Sequence, residues 1–344
     1  MATITHAPQA AAQVTPERIM QFAWGYAPPI ILEAAIRHSV FDVLDEGPKT
    51  IEELRAATGA SERGLIAITN ALVGMNFLAR DESGKLSLTP ESEAFLVRSK
   101  PSFMGGFILH TSGHLIPRWL HLNEVVATGI PVRSVNHEDT GAAFFEQFVN
   151  DIFPMSYPPA KVLAAHLRLS DATGPVSVLD VAAGSGVWGI ALAQSSPDVR
   201  VTAVDWPGVL PTTQKTVAKF GLSDQFTFTP GDLSEADFGS GHQVATLGHI
   251  LHSEGEEASR ALLAKTFRAL APGGTVAVQE FLVNQDRTGP MNGLLFAVNM
   301  LVNTDTGSTW SFEEISSWLT DAGFVKPRTL DSPGPSPLIL ATKP

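Results

Sequence analysis

The chain has 344 residues, contains no cysteine and carries a formal net charge of −12. Its length allows two domains that each bury a core of their own. The absence of cysteine excludes disulfides, zinc–thiolate sites and cysteine nucleophiles. The acidic balance, without a basic patch, predicts no nucleic-acid partner. No window approaches about 18 consecutive apolar residues, so we expect no membrane span and no membrane partner.

Residues 1–15 are rich in Ala, Gln, Thr and Pro, and have neither a basic start nor a long apolar run. This composition predicts a disordered tail and no signal peptide. A soluble cytoplasmic protein is therefore expected.

Residues 16–100 predict a mostly helical domain with a short hairpin. One helix should begin near Pro16, and "PPIILEAAIRHSVFDVLDEG" repeats apolar residues at helical spacing until Gly47. Thr50 and Glu53 form a capping box that starts the next helix. Ser61 is expected to cap a further helix that runs to about Gly74, and two short strands should flank Ser83-Gly84.

Helix, turn, helix and β-hairpin together describe a winged helix. Such a domain binds DNA in some proteins and other protein chains in others. The second helix, "ERGLIAITNALVGM", carries one cation, Arg63, whereas a recognition helix needs several polar side chains that reach base edges. The sequence therefore favours an interaction module, and the apolar stretch "RIMQFAWGYAPPIILEAAI" predicts that it forms a two-fold dimer.

The remaining chain divides at about residue 170. Residues 101–170 predict a helical linker that also contributes to a substrate pocket, with many Phe, Trp, Met and His residues. From 171 to 344 apolar strands alternate with helices, which is typical of a doubly wound α/β domain with a mostly parallel sheet covered on both faces.

The stretch "VLDVAAGSGVWG" contains Gly184-x-Gly186-x-x-Gly189 directly after an apolar strand. This spacing occurs in dinucleotide-binding loops, where a pyrophosphate lies at the helix N-terminus. Asp180 at the strand end would repel a pyrophosphate but would favour the sulfonium and ammonium groups of S-adenosylmethionine (SAM). The stretch therefore favours SAM over NAD, and a tight turn without a ligand is the third alternative.

Two more acids follow the next two strands. Asp205 ends "VRVTAVD", where a carboxylate can accept both ribose hydroxyls of either cofactor. Asp232, next to Gly231, is a candidate acceptor for an adenine amino group, with Trp206 and Leu233 packing on the ring. Ligands of open α/β sheets bind outside the carboxyl ends of the strands, so three acids in these positions predict a nucleoside site.

The segments "VLDVAAGSG", "VTAVDWPGVL", "FTPGDL", "LGHILHSEGEEASRALL", "RALAPGGTVAVQEF" and "DAGF" occur in this order. As a set they resemble the class I SAM-dependent O-methyltransferases of the plant caffeate/flavonoid type and their bacterial natural-product relatives, over essentially the whole chain. The resemblance implies a seven-stranded Rossmann-like domain, an N-terminal winged-helix dimerisation domain and SAM bound by Asp180, Ala182, Gly184, Gly186, Asp205, Trp206, Gly231, Asp232 and Leu233. Ala182 and Ala183 replace glycines common in the family, which is tolerable if φ stays negative.

His252 is the candidate general base. A phenol has a pKa of about 10 and an imidazole about 6.5, so a positioned histidine can remove the proton during attack. We expect His252 at the end of the strand "HQVATLGHIL", followed by a capping box of Ser253 and Glu256. It also matches the catalytic base of the resembled family, although Ser253-Glu254 replaces the usual Asp-Trp.

Glu280 ends the strand after the one carrying His252, and the two strands should be neighbours. Its carboxylate is then in position to accept a hydrogen bond from the far ring nitrogen of His252, as the matching acid of the family does. The family commonly has a second such acid. Thr309 stands at that position here, and Asp305 is a possible substitute.

Several further residues are assigned to the pocket. Four weaker histidine candidates, His110, His114, His121 and His249, are interpreted as pocket or core residues, and without paired acids they predict no metal. The acceptor pocket is predicted to contain Trp119, Phe145, Phe153, Met155, Phe296, Asn299, Met300 and Asn303. With 19 Phe against 2 Tyr in the chain, an apolar aromatic small molecule is the expected substrate.

The combined hypothesis is a homodimeric SAM-dependent O-methyltransferase for a hydroxylated aromatic molecule. Two alternatives remain open at this point. One is a C- or N-methyltransferase on the same scaffold, because the residues after His252 and at Thr309 differ from the family pattern. The other is a non-enzymatic winged-helix regulator that binds a metabolite.

Overall fold

The computed structural model describes residues 14–135 and 138–344, except for the side chains of 138–140, 142–143 and 146–147. The predicted tail therefore lies almost entirely outside the described residues. The chain divides into two compact units, the first ending at Val97 and the second beginning at Arg98.

The first unit contains six helices and a two-stranded antiparallel sheet within its described part. They are α1 Glu17–Ala23, α2 Ala27–Arg37, α3 Val40–Asp45, α4 Ile51–Thr58, α5 Glu62–Gly74, β1 Leu78–Arg80, β2 Leu86–Leu88 and α6 Pro90–Phe95. The capping box of Thr50 and Glu53, the Ser61 cap and the hairpin are confirmed. The single helix predicted to reach Gly47 is wrong, because Ser39 has φ +55° and separates α2 from α3.

The second unit begins with a helical region. Its helices are α7 Gly105–His110, α8 Ile116–Trp119, α9 Leu122–Thr128, α10 Glu138–Asp151 and α11 Phe153–Leu167, with a π-helical turn over Thr111–Leu115. The region was predicted to be helical, and this is confirmed.

A seven-stranded sheet forms the rest of the second unit. Its elements are β3 Val176–Val181, α12 Val187–Ala193, β4 Val199–Asp205, α13 Leu210–Lys219, β5 Phe226–Pro230, β6 His242–Gly248, α14 Leu251–Ala269, β7 Leu270–Gln279, α15 Met291–Asn303, α16 Phe312–Asp321, β8 Val325–Leu330 and β9 Leu338–Thr342. The strand order is β5-β4-β3-β6-β7-β9-β8, and only the pairs β7–β9 and β9–β8 are antiparallel.

This topology creates one preferred ligand position. The chain runs outward from β3 to β4 and β5, then returns to place β6 on the other side of β3. The crevice between β3 and β6 is therefore the switch point where open α/β sheets bind ligands. It lies at the carboxyl ends of the strands, where the three predicted acids were expected.

Side-chain alternation along the strands divides the core into two layers. Val176 and Val178 of β3 belong to a cluster with α11 and α12, whereas Leu179 and Val181 belong to a cluster with α14 and α16. Successive side chains of a strand point to opposite faces, so a sheet covered on both sides requires a continuous apolar strand. The sequence "VSVLDV" meets this requirement except at Asp180.

The connection after β6 differs from the prediction. The strand ends at Gly248, α14 starts at Leu251, and His252 lies in the first helical turn. The N-cap of α14 is Ile250, so the prediction that Ser253 starts this helix is wrong; the Ser253 hydroxyl donates to the Ile250 carbonyl (2.9 Å). Gly255 has φ +77° and interrupts the helix, so the turn that carries His252 is set apart from the rest of α14.

Candidate active site

The glycine loop connects β3 to α12 and contains an unexpected backbone conformation. Ala182 has φ +54°, so the expectation of a negative φ there is wrong. A left-handed conformation costs a residue with a Cβ about 1–2 kcal/mol. Gly184 also has φ +54°; its N–H donates to Oδ2 of Asp205 (2.8 Å), and its carbonyl accepts from the Thr213 hydroxyl (2.6 Å).

Asp180 lies beneath this loop. It is fully buried, and its two oxygens accept from the Gly189 N–H (2.9 Å) and the Thr246 hydroxyl (2.7 Å). Burial raises the pKa of Asp180 to about 7 despite these hydrogen bonds. The expectation that this carboxylate faces the charged end of SAM is therefore revised: in this structure Asp180 supports the loop from below.

The other two acids lie where a nucleoside would need them. Asp205 is partly exposed, and its oxygens accept from the Gly184 and Trp206 N–H groups. Burial raises its pKa to about 6. Asp232 is exposed and accepts from the Trp206 indole N–H (3.3 Å) and from Ser234. Burial acts to raise the pKa of Asp232, but the hydrogen bonds from Ser234 outweigh it and lower that pKa.

The hydrogen-bond donors and acceptors of the glycine loop and of the two acids beside it fit SAM. Each carboxylate oxygen of Asp205 has one described contact and keeps a lone pair for a ribose hydroxyl. Trp206 is partly exposed between the two acids, and Gly231 and Leu233, also partly exposed, flank Asp232. Residues 178–195 contain no Lys or Arg, so nothing in the loop would neutralise a pyrophosphate, whereas a cationic sulfonium suits the acidic surroundings.

His252 and Glu280 form a buried pair on the other side of the switch point. His252 Nδ1 lies 2.8 Å from Oε2 of Glu280, and the His252 backbone N–H donates to Oε1 (3.2 Å). The exposed fractions of the side chains are 12% and 1%. Burial acts to raise the pKa of Glu280, but the charge and hydrogen bonds of His252 outweigh it and lower that pKa. With Nδ1 donating to a carboxylate, Nε2 of His252 is left as a proton acceptor.

Aromatic rings pack around the histidine. Phe296 of α15 meets the His252 ring edge to face at 4.9 Å, and Phe281 packs on Phe296 at 4.1 Å. Phe281 also lies 5.0 Å from His249. Sequence reasoning missed Phe281, although its position directly after Glu280 was a usable signal.

Hydrogen bonds connect α8 to α15, the helix that carries Phe296. The Trp119 indole N–H donates to Oδ1 of Asn299 (2.9 Å), and Arg118 donates to Oδ1 of Asn303 (2.7 Å). Asn303 in turn donates to Oδ1 of Asn299 (3.1 Å). Three of these four were predicted pocket residues. Arg118 was missed, although a single arginine in the apolar stretch "FILHTSGHLIPRWLHL" is a signal in itself.

The remaining predicted pocket residues separate into two groups. Phe145 lies 6.0 Å from Trp206 and 5.0 Å from Phe144, so it borders the nucleoside side. Phe153 instead stacks on Tyr157 and Phe220 beside the sheet core, and its assignment to the pocket is revised. Met300 is buried within α15, and Met155 is partly exposed in α11; their roles stay predictions.

The four weaker histidines differ in their surroundings. His110 is buried and His249 is partly exposed. Desolvation lowers the pKa of each to about 4, and Nε2 of each has no hydrogen-bond partner among the described residues. His114 is exposed beside His110. His121 lies on the surface near Glu124, so the assignment of His121 to pocket or core is wrong. Within the described residues, His, Asp and Glu side chains form no group of three that would hold a metal.

The second acid position is occupied by a structural hydroxyl. Thr309 is buried and donates to the Gly293 carbonyl of α15 (3.2 Å). Asp305 is exposed, so the proposed substitution of this acid finds no support. Glu280 is the carboxylate that contacts His252.

Comparison with known proteins agrees with this geometry. The sequence matches the O-methyltransferase domain over residues 128–325 and the O-methyltransferase dimerisation domain over residues 20–98. The first match alone spans more than half of the chain.

The chain belongs to the O-methyltransferase family.

Two curated relatives of this methyltransferase align over nearly its full length. The 3-hydroxy-5-methyl-1-naphthoate 3-O-methyltransferase of Streptomyces sahachiroi is 30% identical over 336 residues, covering 95% of each chain. The tetracenomycin polyketide synthesis 8-O-methyl transferase TcmO of Streptomyces glaucescens is 30% identical over 340 residues, covering 96% of this chain and 97% of the relative. The protein is thus a SAM-dependent methyltransferase and not a non-enzymatic regulator.

Other comparisons concern the fold and the range of acceptors. Human N-acetylserotonin methyltransferase in complex with SAM superposes with a TM-score of 0.82 at 23% identity, covering 97% of this chain and 99% of that chain, which supports the shared fold. The L-tyrosine C(3)-methyltransferase of Streptomyces lavendulae is 34% identical over 183 residues, 52% of this chain and 50% of the relative.

Within the described residues, no helix is long and apolar enough to span a membrane.

Proposed function

We propose that this methyltransferase transfers a methyl group from SAM to a hydroxyl of an aromatic small molecule, with His252 as general base and Glu280 as its orienting acid. The observation that carries the proposal is the 2.8 Å contact between His252 Nδ1 and the buried Glu280 carboxylate. It leaves Nε2 to accept a proton at the switch point of the sheet.

SAM, when bound, supplies a methyl group on a sulfonium that an oxygen nucleophile can attack. Asp205 would accept the ribose hydroxyls, and Asp232 would accept the adenine amino group with Trp206 and Leu233 on the ring. Ala182, Gly184 and Gly186 would border the amino-acid end. Asp180 would hold the loop through Gly189.

The protein side of the reaction is the removal of one proton. The acceptor hydroxyl, with a pKa of about 10, gives its proton to Nε2 of His252 as the oxygen attacks. The imidazolium that forms is stabilised by the Glu280 carboxylate, whose pKa is lowered by His252 and which therefore stays charged. Glu280 also fixes the tautomer before the reaction.

The surroundings of His252 support an aromatic acceptor. Phe281, Phe296 and Trp119 present ring faces and edges around the base and along α15. Aromatic pairs prefer offset or edge-to-face packing, which a flat acceptor can join. The relatives named for a hydroxynaphthoate and for tetracenomycin extend this to a fused-ring acceptor.

The test is turnover against pH for wild type, His252→Ala and Glu280→Gln with a competent phenolic acceptor. Near neutral pH, His252→Ala should lower kcat by about 10²- to 10⁴-fold, and the loss should shrink at high pH, where solvent ionises the phenol. Glu280→Gln should cost less, because the base remains.

Two results give this test its control. The affinity of His252→Ala for SAM, measured by calorimetry, should stay within about threefold of wild type, because the proposed cofactor contacts lie across the switch point. A His252→Ala enzyme with kcat within about threefold of wild type would show that proximity alone drives transfer and that His252 is no base.

A C- or N-methyltransferase on the same scaffold is the second candidate function. It is favoured by Thr309, which replaces the family acid and is committed to the Gly293 carbonyl, and by the relative named as a C-methyltransferase. NMR of the product with ¹³C-labelled SAM identifies the methylated atom. A labelled methyl carbon bound to oxygen supports the first proposal. A labelled methyl carbon bound to a ring carbon or to nitrogen supports the second.

A further inference from the structure

Arg118 is a half-buried cation that the proposed mechanism does not use. It lies on what we call the acceptor wall, the surface formed by Trp119 of α8 with Phe296, Asn299 and Asn303 of α15. Its guanidinium donates to Oδ1 of Asn303 (2.7 Å) and lies 5.2 Å from the centre of the Phe144 ring. The residue is about half-buried, yet no carboxylate of the described residues lies within ion-pair distance of it. Its two partners among the described side chains, an amide and an aromatic ring, are neutral.

A partly buried cation without an anionic partner is unfavourable by itself. Removing a guanidinium from water costs free energy unless a countercharge repays it. Burial, and next the charge of Arg133, lower the pKa of Arg118. Asp151 is the one acid of α10 whose side chain is described, and its electrostatic interaction is with His114. Among the described side chains, the charged group that acts on Arg118 is therefore a second cation, in a protein whose net charge is −12.

Helix α15 relates this cation to the base. Phe296 contacts His252, Asn299 contacts Trp119 and Asn303 contacts Arg118. Residues spaced by three, four and seven positions share one helical face. From 296 to 303 the helix rises about 10 Å, so the base and the guanidinium lie at opposite ends of a wall with the Trp119 indole between them.

We infer that the acceptor carries a carboxylate at the end of its aromatic system remote from the methylated hydroxyl, and that Arg118 binds it. The inference rests on the proposed function, because it names the substrate class of that site. The length of the wall suits two fused rings, with the hydroxyl at His252 and the carboxylate at Arg118.

The chemistry of arginine favours a carboxylate in particular. A guanidinium has five N–H donors in a planar fork, and the Asn303 contact uses one of them. The fork matches the two oxygens of a carboxylate. Asn303 is itself oriented by its hydrogen bonds to the carbonyl and Oδ1 of Asn299, so the arginine is held by a rigid partner.

The experiment compares two probes of nearly equal shape, 6-hydroxy-2-naphthoate and 6-hydroxy-2-naphthamide. Their affinities are measured by calorimetry in the presence of S-adenosylhomocysteine, so that no reaction occurs. Wild type should bind the acid about 10- to 100-fold more tightly than the amide, because a hydrogen bond to a charged group contributes more free energy than one between neutral groups. Arg118→Met should remove that preference, and Arg118→Lys should retain part of it.

Arg200→Met is the matched control, because its guanidinium donates to the carbonyls of Pro197 and Val199 away from the acceptor wall. It should leave the preference unchanged. Equal affinity of wild type for acid and amide, no affinity for either, or a preference that survives in Arg118→Met overturns the inference.

A parallel assay with labelled SAM separates this inference from the proposed function. If the acid binds through Arg118 but neither the acid nor the amide is methylated, the carboxylate site stands and the proposed reaction fails. If both probes are methylated with equal kcat/KM in wild type and in Arg118→Met, the reaction stands and the carboxylate site fails.

Discussion

At the scale of single residues, Ala182 is the clearest departure from local preference. Its φ of +54° lies in the region that glycine adopts without strain, yet it carries a Cβ. Its neighbour Ala183 has a negative φ, and its N–H donates to the Val204 carbonyl (3.1 Å). The two alanines that replace family glycines are therefore not equivalent: one is strained and the other is not.

The strain at Ala182 predicts opposite effects for two similar substitutions. Ala182→Gly should raise the free energy of unfolding by about 1 kcal/mol, because it removes the left-handed strain. Ala183→Gly should lower it by about 1 kcal/mol, through backbone entropy and a lost buried methyl. Urea unfolding of both variants measures this. Equal signs for the two substitutions would contradict the backbone assignment.

At the scale of elements, Asp180 connects three of them. It belongs to β3, accepts from Gly189 of α12 and accepts from Thr246 of β6. The crevice between β3 and β6 is the switch point itself, so this carboxylate fixes the shape of the cofactor site without reaching its surface. Asparagine can reproduce both hydrogen bonds, because its amide oxygen accepts from Gly189 and its NH₂ can donate to the Thr246 hydroxyl.

This burial predicts a specific pH dependence. The pKa of Asp180 is about 7 in the folded protein and about 3.9 in an unfolded chain. Between these values the folded state binds more protons at this carboxyl, so the stability that Asp180 contributes falls as pH rises from about 4 to 7. His110 and His249, each with a pKa of about 4, make the opposite contribution over the lower part of that range. Asp180→Asn removes the Asp180 contribution alone, so in urea unfolding the stability of the variant should change more favourably with rising pH than that of wild type. Asp205, whose pKa is about 6, contributes equally to both proteins.

The same variant distinguishes the two roles considered for Asp180. If the residue only holds the loop, Asp180→Asn should bind SAM within about threefold of wild type. A loss of more than about tenfold would restore the direct electrostatic role that the sequence suggested. Stability curves for the two proteins that stay parallel from pH 4 to 7 would contradict the burial argument.

At the scale of the whole molecule, the matched dimerisation domain has an apolar surface in the single chain. Six large side chains of α1 and α2 and the turn between them are between 41% and 75% exposed: Ile19, Met20, Phe22, Trp24, Tyr26 and Ile30. Apolar patches of this kind mark interaction surfaces in soluble proteins. The domain matched over residues 20–98 is named for dimerisation.

We therefore expect a homodimer that uses this surface. Light scattering at micromolar concentration should give twice the chain mass of 36.6 kDa. Phe22→Asp should shift the protein to monomer, because a charge buried in an apolar interface is strongly unfavourable. Glu17→Asp, an exposed conservative change on α1, serves as control. A wild-type monomer under these conditions would rule out the dimer.

The sequence by itself determined the architecture of this protein. Periodicity and caps identified most elements, because apolar patterns and capping residues act within a few positions of each other. The glycine spacing and the strand-end positions of Asp205 and Asp232 followed from local order along the chain. The pairing of the strands before His252 and Glu280 followed from the regular topology of α/β sheets.

Only the tertiary structure decided which residues are buried in the core and which reach the site. Asp180 ends a strand like Asp205, but neighbouring strands and α12 bury it completely. Phe153 and Phe296 are both aromatic residues on helices, yet one packs beside the sheet core and the other on His252. Arg118 reaches Asn303 across 185 positions of sequence. Burial and such long-range contacts depend on how whole elements pack, and no local pattern records that.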